Sequence, residues 1–117
     1  MTEASDHVPE GVRALGRLRD TFALSFDELG ALLGTSGETV RRWERGLTEI
    51  PVDPAATLTG MEDALDRLAR LFKPDRLKLV VRRNADLFGG ERALDWILRR
   101  RLGEVVSRYE QELRYQA

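Results

Sequence analysis

The sequence predicts an all-α protein: an N-terminal helix-turn-helix bundle followed by a small C-terminal helical domain. Apolar residues recur at three- and four-residue spacings through most of the chain, the period of an amphipathic helix. Helix start signals (Ser25, Ser36, Asp53-Pro54) and stop signals (Gly34, Gly46, Lys73-Pro74) fall between those runs. No segment alternates apolar and polar residues as a strand does. The 117 residues, 42% hydrophobic and 33% charged, suffice for one ordinary domain or two very small ones with a buried core.

A first helix is expected over Gly11 to Ala23, with Val12, Leu15, Leu18 and Phe22 on one face. Ser25-Phe26-Asp27-Glu28 reads as a capping box, in which the serine hydroxyl and Glu28 each satisfy a backbone N–H of the other residue. The second helix then runs through Leu29, Leu32 and Leu33 to Gly34, a residue free to take the left-handed exit conformation. After a turn of about three residues Ser36 caps a third helix, Gly37 to Arg45, closed by Gly46. A loop containing Pro51 follows, and Asp53-Pro54 starts a long helix, Pro54 to Phe72, which Lys73-Pro74 breaks. Helices at about Pro74 to Arg83, Glu91 to Arg101 and Gly103 to Tyr115 complete the chain, with a turn-rich loop at Asn84 to Gly90. This gives a tail at residues 1–9, a helix-turn-helix domain at 10–52 and a C-terminal domain at 53–117, with the boundary near 47–53.

Composition narrows the function. The absence of cysteine removes disulfides and thiolate zinc sites, and the one histidine, His7, lies in the expected tail, so no metal or cofactor is expected. His7, Lys73 and Lys78 offer no credible nucleophile and base, which argues against an enzyme. No run of about 18 apolar residues is present and the N-terminus is acidic and polar, so no membrane contact and a cytoplasmic location are expected. The net charge is −1: the first 50 residues carry 6 arginines against 9 acidic residues, and the remainder 13 basic against 11 acidic. Any surface for nucleic acid must therefore be a local cluster.

Such a cluster exists on the third helix. Val40 and Trp43 share one face and should pack on Leu15, Phe22, Leu29 and Leu33, which turns Gly37, Glu38, Thr39, Arg41, Arg42 and Arg45 outward. The stretch SFDELGALLGTSGETVRRWERG resembles the Xre, or lambda-repressor-like, helix-turn-helix family at Leu29, Gly30, Leu33-Gly34, Ser36, Val40, Trp43, Glu44 and Gly46. Gly30 stands where that family has alanine; it permits close helix approach and costs about 1 kcal/mol of helix propensity. The resemblance implies DNA binding by Ser36, Gly37, Glu38, Thr39, Arg41, Arg42, Arg45 and Thr48. In a major groove Glu38 could accept from cytosine N4, Thr39 meet a phosphate or a thymine methyl, and Arg42 bridge guanine O6 and N7. Arg41, Arg45 and Thr48, with Arg13 and Arg17 of the first helix, suit phosphates. Glu44 is read as a structural brace. A single motif reads few base pairs, so a homodimer on an inverted-repeat operator is expected, assembled mainly through residues 54–117.

In the second half Leu77, Leu79, Val80, Val81, Phe88, Leu94, Trp96, Ile97, Leu98, Leu102, Val105, Val106, Tyr109 and Leu113 are expected to provide a bundle core. The segment LARLFKPDRLKLVVRRNADLFGGERALDWILRRRLGEVVSRYEQEL resembles the toxin-binding domain of ParS-type antitoxins in its Arg-Arg-Asn segment, its Leu87-Phe88-Gly89-Gly90 turn, its Ala-Leu-Asp helix and its Arg-Leu-Gly step before Glu-Val-Val. The resemblance implies an antitoxin that represses its own operon and neutralises a RES-domain toxin, an enzyme that consumes NAD or transfers ADP-ribose from it. The toxin contacts it implies are Arg82, Arg83, Tyr109, Glu112 and the end Tyr115-Gln116-Ala117. The competing reading is a plain transcriptional repressor whose C-terminal bundle only dimerises.

Overall fold

The structure, a computed structural model, describes residues 9–116, with side chains as far as Arg114. The expected N-terminal tail, apart from Pro9, and Ala117 lie outside the described residues, as do the side chains of Tyr115 and Gln116. The described elements are α-helices α1 (Glu10–Phe22), α2 (Phe26–Leu33), α3 (Gly37–Glu44), α4 (Val52–Gly60), α5 (Glu62–Ala69), α6 (Pro74–Val80), α7 (Ala93–Leu98) and α8 (Leu102–Gln116), with a 3-10 turn at Asp86–Phe88. Among the described residues the only β-type pairing is an isolated bridge between Asn84 and Arg92. The fold is all-α.

Local signals act as their chemistry dictates. Ser25 Oγ accepts from the Glu28 N–H at 3.0 Å while Glu28 Oε1 accepts from the Ser25 N–H at 2.9 Å, so the capping box is complete. Gly34 takes φ +75° at the exit of α2. Ser36 caps α3 by accepting from the Thr39 N–H at 3.2 Å. Gly46, at φ +74°, ends it, and the Leu47 N–H donates back to Arg42 O at 2.9 Å.

Several boundaries differ from the sequence reading. The helix expected over Pro54 to Phe72 is two helices, α4 and α5, which part at Met61. There the N–H reaches Leu58 O in a tight three-residue loop, next to Gly60, whose missing side chain lowers the cost of the break. The same helix begins at Val52 after Pro51, with no side-chain cap, so Asp53 sits in the first turn instead of capping it. The helices expected to end at Arg83 and Arg101 stop at Val80 and Leu98, each in a short turn.

Both halves feed one core. Leu15, Leu18, Phe22, Leu29, Leu32 and Val40 belong to the same continuous buried cluster as Leu58, Leu65, Leu68, Leu77, Val81, Phe88, Leu94, Ile97, Val105 and Val106. α1 lies at the centre of the join and packs against α4, α5 and α6 as well as α3, while α2 packs against α7.

Candidate functional site

α3 owes its position to two glycines. A Cβ on Gly30 would lie 2.5 Å from Thr35 O and 2.9 Å from the Ser36 carbonyl carbon, so α2 meets the start of α3 with no room for a methyl group. Glycine is required here by contact as well as tolerated. Gly37 is buried, and a Cβ on it would lie 2.2 Å from Asp27 Oδ1 and 3.1 Å from the Phe26 carbonyl carbon. The expectation that Gly37 faces outward is therefore corrected: its bare backbone is the seam between α3 and the start of α2.

Trp43 and Val40 face the core, at 4% and 0% exposure. The brace expected of Glu44 is present: Arg19 Nη1 donates to both Glu44 oxygens at 3.2 Å while the Arg19 guanidinium stacks 4.5 Å over Phe26. Arg19 thus joins α1, α2 and α3, a role with no local signature because its partner lies 25 residues away.

The outward face of α3 presents Glu38, Arg42 and Arg45, all exposed, with Thr39 and Arg41 half-buried, and Thr48 exposed in the following loop. Glu38 and Arg41 form a two-bond pair at 2.7 and 3.0 Å, which holds the Glu38 carboxyl below its ordinary value. Among the described residues Arg42 and Arg45 have no ion pair and no side-chain hydrogen bond. These two cations and the capped N-terminus of α3 are the part of the cluster free to meet a phosphate or a base edge. Arg13 is exposed on α1, whereas Arg17 is engaged with Glu62 at 3.3 Å and Asp66 at 2.6 Å on α5. Arg17 ties the halves together instead of facing a phosphate.

The second set of expected contacts divides likewise. Arg82 points into the molecule, onto Glu28 and the carbonyls of Phe22 and Ala23. Tyr109 is only 8% exposed, edge-on to Phe72 and Phe88 at 4.9 and 5.2 Å, and burial pushes its hydroxyl up to about 12. Its ring is a core element and not a projecting contact. Arg83 and Glu112 are exposed. Tyr115, Gln116 and Ala117 fall at the end whose side chains are outside the description.

Beneath this face Phe88 is also edge-on to Trp96 at 5.2 Å, and the guanidinium groups of Arg101 and Arg108 stack on Trp96 at 4.1 and 4.6 Å. Trp96 Nε1 donates to Glu91 at 3.0 Å. Among the described residues no group of acidic or histidine side chains could hold a metal ion, and no helix is long and apolar enough to cross a membrane.

No family model matches the chain. The fold is shared with a chain in the crystal structure of the M. tuberculosis MbcT–MbcA toxin-antitoxin complex, at a TM-score of 0.67 and 16% identity, covering 88% of this chain and 93% of that one. In sequence, 107 residues align at 33% identity with the uncharacterized protein y4oB of Sinorhizobium fredii (strain NBRC 101917 / NGR234), spanning 90% of this chain and 81% of the relative. The chain belongs to the same family as y4oB.

Proposed function

We propose that this protein is the antitoxin of a toxin–antitoxin pair: it binds and silences a RES-domain toxin that consumes NAD or transfers ADP-ribose from it, and it represses its own operon by binding DNA through α3. The observation that carries the antitoxin reading is the fold shared, over nearly the full length of both chains, with a component of the M. tuberculosis toxin-antitoxin complex. The toxin class rests on the ParS-like pattern of the second half.

DNA binding is supported by the exposed, unpaired Arg42 and Arg45 on a helix whose opposite face is anchored by Val40 and Trp43. In this reading Arg42 reads guanine, Arg45 and Thr48 hold phosphates, and Glu38 accepts from cytosine once it leaves Arg41. A homodimer would set two such helices on an inverted repeat. On the toxin side Arg83, Glu112 and the C-terminal end are the contacts retained, since Arg82 and Tyr109 serve the fold.

Co-expression with the adjacent gene, followed by purification, tests the first part. A complex that survives gel filtration is expected, and recovery of this chain alone would contradict it and favour a plain repressor. For the second part, Arg42→Ala should weaken binding to the DNA upstream of the gene by about 1–3 kcal/mol and relax preference at one base pair, while Arg45→Ala weakens all sequences alike. Unchanged affinity in both variants would refute α3 as the reading helix.

A further inference from the structure

The helix-turn-helix motif taken with its leading helix α1 has two turns, α1–α2 and α2–α3, and here both are held from the second half. α1 ends at Phe22 and α2 at Leu33, and the last carbonyls of any helix lack an intrahelical donor. Arg82 Nη2 donates to Phe22 O at 3.2 Å and to Ala23 O at 2.8 Å, and its two terminal nitrogens also donate to the Glu28 carboxylate at 3.2 and 3.3 Å. Glu28 is at the same time the reciprocal member of the Ser25 capping box. One guanidinium therefore ties the end of α1 to the start of α2.

Arg100 acts at the other turn. Its Nε donates to Leu32 O at 2.9 Å, two residues before the Gly34 exit, and its backbone takes φ +65°, an uncommon conformation for a side chain of this size. Among the described residues, the other arginines of the 82–108 segment that make side-chain hydrogen bonds stay within the second half: Arg92 with Asp95, Arg99 with Glu91, Arg101 with Glu104 and Arg108 with Leu87 O. No described hydrogen bond joins α3 itself to the second half, so its bearing is inherited from α2 and from Arg19.

We propose that Arg82 and Arg100 are positioning residues for the DNA-reading helix: through them the second half fixes both turns of the motif, and α3 is presented at a groove-compatible angle only while they are seated. This rests on the reading of α3 as a DNA-binding element. It also assigns the second half a part in DNA recognition, so that a partner gripping the segment from 82 to 100 would alter operator affinity without touching α3. A role confined to overall stability would make no distinction between specific and non-specific DNA.

The test uses the full chain as Arg82→Gln, Arg100→Gln and the milder Arg82→Lys, with two probes: the duplex upstream of the gene and a mixed-sequence duplex of equal length. Measurements are made where circular dichroism shows each variant as helical as the parent. The glutamine variants should lose about tenfold in affinity for the upstream duplex, the worth of a charge-assisted hydrogen bond, and less than about twofold for mixed sequence, whose phosphate contacts persist. Amide exchange should rise in residues 24–36 and stay slow in residues 94–97, and Arg82→Lys should recover part of the loss. Equal losses on both duplexes, unchanged upstream affinity, or exchange that rises evenly along the chain would overturn the proposal. If the parent protein itself shows no preference for the upstream duplex, the DNA reading fails instead, and the exchange pattern still decides whether the two arginines hold the turns.

Discussion

Arginine does different work around α3 and in the segment from residue 82 to 108. Arg42 on α3 and Arg45 at its end stand in solvent with no ion pair among the described residues, on a helix whose other face is locked by Val40 and Trp43. Between residues 82 and 108, Arg82, Arg92, Arg99, Arg100, Arg101 and Arg108 are each committed, to carboxylates, to helix-end carbonyls or to the Trp96 ring, and Arg83 is the exposed exception. Counting arginines would have assigned the nucleic-acid surface to the second half, which carries more of them. Availability, set by the partners that folding brings, is instead what the proposed DNA-binding role of Arg42 and Arg45 rests on.

The largest effect that sharpens this contrast should come from the aromatic bed under the second-half arginines. Phe88→Ala removes the ring on which Trp96 and Tyr109 both stand edge-on, and should cost about 3–5 kcal/mol in chemical denaturation. A cost below about 1 kcal/mol would mean that the arginine stack stands without it. Next in size is the paired comparison of Arg82→Ala with Arg42→Ala. The first leaves Glu28 and two carbonyls without their donor and should cost about 1–2 kcal/mol of stability, moderated because both side chains keep a quarter to a third of their surface in water. The second should stay within about 0.5 kcal/mol while weakening DNA binding. Equal stability costs would erase the distinction between committed and available arginines.

The smallest effect is a pH dependence. Burial opposes the charge on Glu28, but the hydrogen bonds from Arg82 and from the Ser25 amide outweigh it and hold the carboxyl below its ordinary value of 4.5. A carboxylate depressed on folding contributes stability that is fully present above 4.5 and is lost as pH falls through the lower folded value. Urea unfolding at pH 7, 5 and 3 should therefore show a smaller loss between 5 and 3 in Arg82→Gln than in the parent. Parallel pH profiles would show that the pair is too solvated to matter.

Much of the fold was legible because its signals are local. Ser25 and Glu28, Gly34, Ser36 and Gly46 each act within five residues, and the structure uses each as its chemistry dictates. What escaped was contact between distant positions: Arg82 meets Glu28 across 54 residues and Arg100 meets Leu32 across 68. Gly37 was expected to face outward once Val40 and Trp43 were given the inner face of the helix, yet the missing side chain is what lets Asp27 close against it. Tyr109 carried two readings, core by its spacing from Val105 and contact by resemblance, and the packing supports the spacing. The break at Met61 had only Gly60 to announce it, and one glycine inside an otherwise periodic run is a weak stop.

The antitoxin reading itself is tested most directly by following NAD while the product of the adjacent gene, the proposed toxin, is mixed with the full-length protein in increasing ratio. The account predicts that NAD consumption falls to background as a stoichiometric complex forms, and that Arg42→Ala inhibits as well as the parent because the proposed toxin contacts lie outside α3. Undiminished NAD consumption with the folded protein in excess would contradict it.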